Sequence, residues 1–312
     1  MSVLQVFPDY YKEFQCIAGE CSHSCCIGWE IDIDPETAEI YRNLPGEMGE
    51  RLRRHIAWEE TPHFILGAGE RCPFLNDRNL CDVILNLGED HICGICTDHP
   101  RFRNELPGRL ETGIGLCCEE AARLILSREA PVILELQGEA ETDDEIVDLR
   151  DEVIRVLQNR KLPIQKRLEN MLVLCGSISS EKSLGEWAEL LLGLERLNDE
   201  WTELLLQLKD QWETVDFSGF DAYMSERQTE YEQFVVYLIY RHFANAFDAL
   251  EVGARAAFAA LGYTLLRGLG AVIWTETGAF SFHQQTELAR LFSSELEYSE
   301  ENMDILLGEL YG

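Results

Sequence analysis

Ten of the eleven cysteines in this chain fall between Cys16 and Cys118, and they fall in groups. The first is Cys16-x4-Cys21-x3-Cys25-Cys26, the second Cys72-x8-Cys81-x11-Cys93-x2-Cys96, and the third Cys117-Cys118, while Cys175 stands apart. Thiolates bind soft and borderline metals, so this density predicts a metal site, with zinc and an iron-sulfur cluster as the two realistic occupants. Cys21, Cys25 and Cys26 can supply two ligands from one loop, Cys93-x2-Cys96 is a two-thiol knuckle, and Cys72 and Cys81 flank a turn at Asn76-Asp77-Arg78-Asn79. The expected ligand pool is Cys16, Cys21, Cys25, Cys26, Cys72, Cys81, Cys93, Cys96 and Cys117. Adjacent cysteines seldom hold the same ion, which leaves one of each pair for packing or a second site. A free cysteine is often only a small buried hydrophobe, and that reading suits Cys175 best. The long, irregular intervals fit neither a zinc finger nor a ferredoxin run, so spacing leaves the metal open.

Other chemistries are excluded by residue type. A Cys-x3-Cys-x2-Cys radical signature begins at Cys21 and Cys25 and fails at Gly28. Gly113-Ile114-Gly115 is not followed by the third glycine of a dinucleotide loop, and neither a G-x-S-x-G elbow nor an H-E-x-x-H helix occurs. His23, His91 and His99 lie among the thiols and are further candidate ligands.

The elements that must position these groups differ along the chain. With 312 residues, 46% of them apolar, a sizeable core is expected. The N-terminus has no basic and apolar leader pattern, so a cytoplasmic, reducing location is expected, with thiols free or metal-bound. A net charge of −31 disfavours nucleic acid as a partner and suits either a soluble, self-repelling surface or a lysine-bearing protein partner. Ala256 to Trp274 is apolar enough to suggest a membrane span, but Arg267 and its glycines point to a buried helix, and no membrane partner is expected.

Trp29 to Ile33 alternates like a short strand, and Asp34-Pro35 reads as a helix N-cap with proline at the first turn. Arg51, Arg53 and Arg54 sit on a short helix, Glu119 to Arg128 on another, and Pro131 to Leu136 reads as a strand. Thr142-x-x-Glu145 predicts a capped helix with Ile146, Leu149, Val153, Val156 and Leu157 on its apolar face. Ser183-x-x-Glu186 and Asp199 open two more, Glu230 to Phe247 is a central buried helix, and Gln284 to Phe292 and Ser299 to Leu310 are helical. The fold class is therefore mainly α: an irregular cysteine-rich metal-binding region with a few short strands over 1–130, then a C-terminal helical bundle over 131–312.

The phrase from Pro8-Asp9-Tyr10-Tyr11 through Cys16, Cys21, Cys25-Cys26 and Gly28-Trp29 to Ile33-Asp34 resembles the N-terminal signature of the flagellin lysine N-methylase family, related to the CxxCxxCC zinc- or iron-chelating domain family. Cys72-Pro73-Phe74-Leu75 with Leu80-Cys81, then Cys93-x2-Cys96 with His99-Pro100-Arg101, are similar to its later blocks, as is Cys117 with the acidic-alanine stretch after it. Cys118 stands where proline is expected and His99 where an aromatic is commoner. Tyr231 to Phe247 is similar to the family's aromatic-rich late helix.

The resemblance implies an enzyme that methylates surface lysines of flagellin with S-adenosylmethionine and carries an iron-sulfur cluster, 4Fe-4S, with zinc as the alternative. Such a site needs a neutral amine as nucleophile and walls that tolerate methylammonium, for which aromatic rings are suited. Tyr10, Tyr11, Trp29 and Tyr41 are the candidates, with core packing as the ordinary alternative for each. Asp32 and Asp34 are candidates to orient the amine or cap local structure, and the residues single out no catalytic base. Two other classes stay open: a non-enzymatic zinc- or iron-chelating protein, and a cluster-based electron-transfer protein.

Overall fold

A computed structural model of the chain describes residues 3–139, 144–177 and 180–311. In chain order, β1 (Leu4–Pro8) is followed by α1 (Pro35–Asn43), α2 (Gly46–Arg54), β2 (Ile56–Ala57), β3 (His63–Phe64), α3 (Asp82–Leu87) and α4 (Gly94–Asp98). Next come β4 (Arg101–Leu106), β5 (Arg109–Ile114), α5 (Glu119–Leu126) and β6 (Leu134–Gln137). The rest is helical: α6 (Glu145–Leu157), α7 (Ile164–Leu174), α8 (Leu184–Leu192), α9 (Asp199–Gln211) and α10 (Phe217–Tyr223). α11 (Gln228–His242), α12 (Ala249–Thr277), α13 (Phe282–Phe292) and α14 (Glu300–Leu310) complete it. The molecule is mainly α with a few short strands, as the periodicity predicts.

The chain divides into two compact units, one of residues 15–102 and one of residues 1–14 with 103–312. The division expected between 130 and 131 lies inside the larger unit. The reason is strand pairing: β1 runs parallel to β5, with Val6 opposite Glu111, and antiparallel to β6, with Val6 opposite Leu136. The sheet order β4-β5-β1-β6 ties the first residues of the chain to the segment after residue 102. The strand expected over Pro131 to Leu136 forms slightly later, at Leu134–Gln137.

In the smaller unit, short elements close around Ile31, Ile33, Tyr41, Leu52, Phe64 and Phe74. Asp34 caps α1 by accepting from the Thr37 amide at 2.9 Å, with Pro35 at the first helical position. The alternation at Trp29 to Ile33 identifies the buried face correctly, yet only an isolated bridge from Asp32 to His63 forms. Bonds from Phe64 N to Ile31 O (3.1 Å) and Ile33 N to Pro62 O (2.7 Å) flank it, too few for a strand.

In the larger unit, α11 is buried on nearly every side, as its sequence predicts. The Tyr240 hydroxyl reaches the carbonyls of Val6 and Thr112 at 3.0 and 3.1 Å, fixing α11 on the sheet. α12 is the long apolar segment, and 78% of its most apolar window is covered by the fold. Gly262 explains how it packs: a Cβ there would come within 2.8 Å of Leu238 Cδ1 and 3.0 Å of Phe234 Cε1, so a larger residue would have to push these buried side chains aside. Arg267 binds Asp221 through two bonds of 2.7 and 2.8 Å.

The Ser183 capping box forms as expected, and α9 is capped by Asn198 just before Asp199. For α6, Thr142 lies outside the described residues, and Asp144 caps the helix through Ile146 and Val147. Its buried face is Val147, Arg150, Val153, Ile154 and Leu157; Ile146, Leu149 and Val156 are only partly covered. The shift has an electrostatic cause: Arg150 turns inward to meet Glu111 of β5 at 2.7 Å, and both side chains are fully buried.

Candidate functional site

The smaller unit draws five thiols into one electrostatically connected set: Cys26, Cys72, Cys81, Cys93 and Cys96. Backbone pairing brings the distant segments together. Cys72 N donates to Cys26 O at 2.8 Å and Gly28 N to Glu70 O at 3.2 Å, so the first cysteine loop lies along the segment before Pro73. The expected turn at Asn76 to Asn79 closes through Asn76 N to Leu80 O at 3.0 Å, and its ends meet in a bridge between Leu75 and Cys81. Cys81 and Cys93 are the N-cap residues of α3 and α4. The Cys93 and Cys96 sulfurs are 3.3 Å apart.

Backbone amides face these sulfurs: Phe74 toward Cys72, Val83 and Ile84 toward Cys81, and Cys96 toward Cys93. Such donors favour the thiolate, the form that ligates metal. Opposing them is burial, which pushes Cys72 up to about 12 and raises Cys81. The hydrogen bond between Cys93 and Cys96 lowers the first and raises the second, as expected when one proton is shared by a close pair. Cys26 is lowered to about 7, first by its hydrogen bond with Cys25, then by Ser24 and Arg71 against burial. A set of buried and half-buried thiols, two of them at helix N-caps, fits a thiolate-bound metal or cluster.

The remaining candidates are placed as follows. Cys16 is exposed, its sulfur 3.3 Å from the Ala18 amide, and the Cys21 thiol lies 3.1 Å from His23 O. Cys25 is exposed beside Cys26. Cys117 belongs to the larger unit, where burial pushes its thiol up to about 12. Tyr41 is fully buried and donates to His91 O at 2.6 Å, holding the segment before Cys93. Trp29 is partly buried; its indole donates to Cys25 O at 2.6 Å and its ring lies 6.1 Å from His99. Tyr10 and Tyr11 lie in the larger unit, Tyr10 buried with Arg128 over its ring at 5.6 Å. Burial lowers His99 to about 4, so its ring is neutral at ordinary pH.

Asp34 has both oxygens engaged, one by Thr37 N and the other by Gly94 N at 2.8 Å, so it joins the start of α1 to the Cys93-Cys96 turn. Asp32 faces solvent with Glu30 and His63, and among the described residues this is where three ligand atoms come within 4.8 Å of one another. No trio of the thiol sulfurs is drawn that close.

A second group of ionisable residues is buried in the larger unit, around a π-turn at Ser293–Glu297 that follows α13. Glu297 accepts from His242 Nε2 at 2.6 Å and from the Tyr237 hydroxyl at 3.1 Å, and Arg241 donates to that hydroxyl at 2.6 Å. Burial alone would raise the Glu297 carboxyl, but Arg241 and His242 hold it below the usual range. Burial lowers His242 despite Glu297, so a neutral imidazole donates to a carboxylate. Arg241 also covers the Tyr298 ring at 4.6 Å, and Tyr298 bonds to Cys117. The cysteine pattern does not point to this group; its sequence signal is Arg241-His242 closing an otherwise apolar helix.

Comparison with known proteins finds similarity in the helical part. Residues 183–311 match the FliB lysine N-methylase C-terminal domain. A flagellar biosynthetic protein FliU of Salmonella muenchen is 26% identical over 129 residues, 38% of this chain and 75% of that protein. Lysine-N-methylases of Salmonella typhimurium and Salmonella choleraesuis are each 26% identical over 129 residues, and the match spans 32% of their length. No solved structure matches. The matched stretch holds α8 to α14 with Tyr237, Arg241, His242 and Glu297; the cysteine blocks lie outside it.

Proposed function

We propose that this chain, which belongs to the flagellin lysine N-methylase family through its C-terminal domain, is a cytoplasmic protein-lysine N-methyltransferase that takes its methyl group from S-adenosylmethionine, acts on flagellin and carries an iron-sulfur cluster. The observation that carries the reading is the match of residues 183–311 to the lysine N-methylase domain.

In the reaction a neutral lysine amine attacks the sulfonium methyl carbon, the new N–C bond forms as the C–S bond breaks, and the amine gives up a proton. The acidic surface, with a net charge of −31, favours approach of a lysine-bearing protein. Cys26, Cys72, Cys81, Cys93 and Cys96 are the residues that would hold the cluster. When bound, a cluster supplies a cross-link between segments and a one-electron redox centre. The half-buried Trp29 ring stays a candidate wall, whereas Tyr41 acts by fixing the thiol turn.

The test combines iron and sulfide analysis of anaerobically purified protein with incubation of flagellin and S-adenosylmethionine. Acid-labile sulfide in the protein and a gain of one methylene per event in the flagellin mass are expected. Unchanged flagellin with cluster-loaded protein would sink the transferase reading. Zinc without sulfide would remove the cluster.

A further inference from the structure

Three side chains of the smaller unit that take no part in the thiol set are brought together on its outer face. Ile31 and Ile33 are buried, so the alternation of this segment turns Glu30 and Asp32 outward on one side. His63 stands directly across from Asp32 in an antiparallel bridge. The backbone bonds that frame the pair, Phe64 N to Ile31 O at 3.1 Å and Ile33 N to Pro62 O at 2.7 Å, are made by its neighbours. Asp32 and His63 are therefore a non-hydrogen-bonded pair, the kind whose side chains lie closest, and Glu30, two residues back, shares their face.

The imidazole is held in one orientation. Its Nδ1 lies 3.0 Å from Thr61 O, and a carbonyl only accepts, so Nδ1 carries a hydrogen. In the neutral ring Nε2 is then the lone-pair nitrogen, and it faces a carboxylate, 3.7 Å from Glu30 Oε2. Ligand atoms of Glu30, Asp32 and His63 all lie within 4.8 Å of one another. A backbone carbonyl on the far nitrogen is the device that commonly orients a metal-binding histidine. A separation of 3.7 Å is too long for a hydrogen bond, whereas two ligands each about 2.1 Å from one ion, at tetrahedral to trigonal angles, lie roughly 3.4 to 3.6 Å apart. The Glu30 side chain is 67% exposed, so it can rotate onto an ion without disturbing the core. One imidazole and two carboxylates form a donor set for borderline and hard cations, unlike that of the thiols.

We infer that Glu30, Asp32 and His63 bind a divalent first-row cation of the manganese, iron(II) or zinc class, with water in the remaining coordination positions. The ion lies between the two carboxylates and His63 Nε2, and it ties the segment before α1 to β3.

Mn(II) is the probe, because carboxylate and imidazole accept it and thiolates favour softer ions. The full chain is titrated at about 0.15 M salt, which screens the diffuse attraction of its −31 charge, and free Mn(II) is followed by its electron paramagnetic resonance signal. A single tight site is expected, its affinity lowered about tenfold or more in Asp32→Asn and in His63→Gln, since loss of a supporting group alone costs that much. Glu60→Gln removes the same charge as Asp32→Asn from an exposed position three residues before His63, and should leave the affinity unchanged. Thermal midpoints without metal should match across the variants, and the rise that Mn(II) gives the native chain should be missing from Asp32→Asn and His63→Gln. Full affinity in His63→Gln, or equal loss in Glu60→Gln and Asp32→Asn, would reduce the uptake to attraction by an acidic surface and overturn the inference. Absence of uptake by the native chain would overturn it too, leaving a proton on Nε2 as what joins His63 to Glu30.

Discussion

The two units reach compactness by different means. In the smaller one the α-helices are at most nine residues long, and thiols, N-caps and side-chain bonds to carbonyls hold the segments around a modest core. Arg51 illustrates this, binding Asp82 and Pro73 O at 2.7 Å each. The larger unit is organised by α11 and the 29-residue α12, with charged groups buried in pairs. Short elements bury less apolar surface than long ones, so the proposed cluster would add most to the first kind of region, whereas the second rests on apolar burial.

Replacing Cys93 and Cys96 together with serine should break the comparison most visibly. Hydrogen exchange is expected to show protection lost through residues 15–102 and retained in α11 and α12. Equal loss in both units would mean that this thiol pair supports the whole chain. Next in size is Glu111→Gln, which leaves the fully buried Arg150 with the half-exposed Asp151 as its charged partner. It should destabilise the larger unit by about 3–5 kcal/mol in denaturant unfolding, and adding Arg150→Met should restore much of that. A cost near zero would show that Asp151 compensates, since it also pairs with Arg150 at 2.8 Å.

Smallest is Asp34→Ala, which removes the α1 cap and the tie to Gly94, for about 0.5–2 kcal/mol. Burial would raise the Asp34 carboxyl, but the Gly94 and Thr37 amides hold it below its ordinary value of 3.8. A depressed folded-state value means that its contribution is complete above about pH 4 and is lost as pH falls through that lower value. Acid titration of the smaller unit should therefore show a step that Asp34→Ala abolishes; an unaltered titration would refute the role.

Much of the helical architecture is legible in the sequence because capping and periodicity act locally. Ser183, Asp34-Pro35 and the apolar run of α11 each specify structure within a few residues. The α6 face is the instructive failure: Arg150 reads as outward until Glu111, on a strand 39 residues earlier, turns it in. The position of β1 has the same character, since nothing near Leu4 to Pro8 announces partners at Arg109–Ile114 and Leu134–Gln137. That the cysteines cluster along the chain is legible in the sequence; which of them approach one another is not.

Residue types and local spacing by themselves determined that this chain is mainly helical, strongly acidic and thiol-rich in its first third. Only the tertiary structure decided which thiols face one another, that Tyr41 and Asp34 serve the thiol turn, and that His63 comes to the face that carries Glu30 and Asp32. Those outcomes depend on contacts between segments far apart in the chain, where pairing and desolvation act across the fold and no local pattern records the partner.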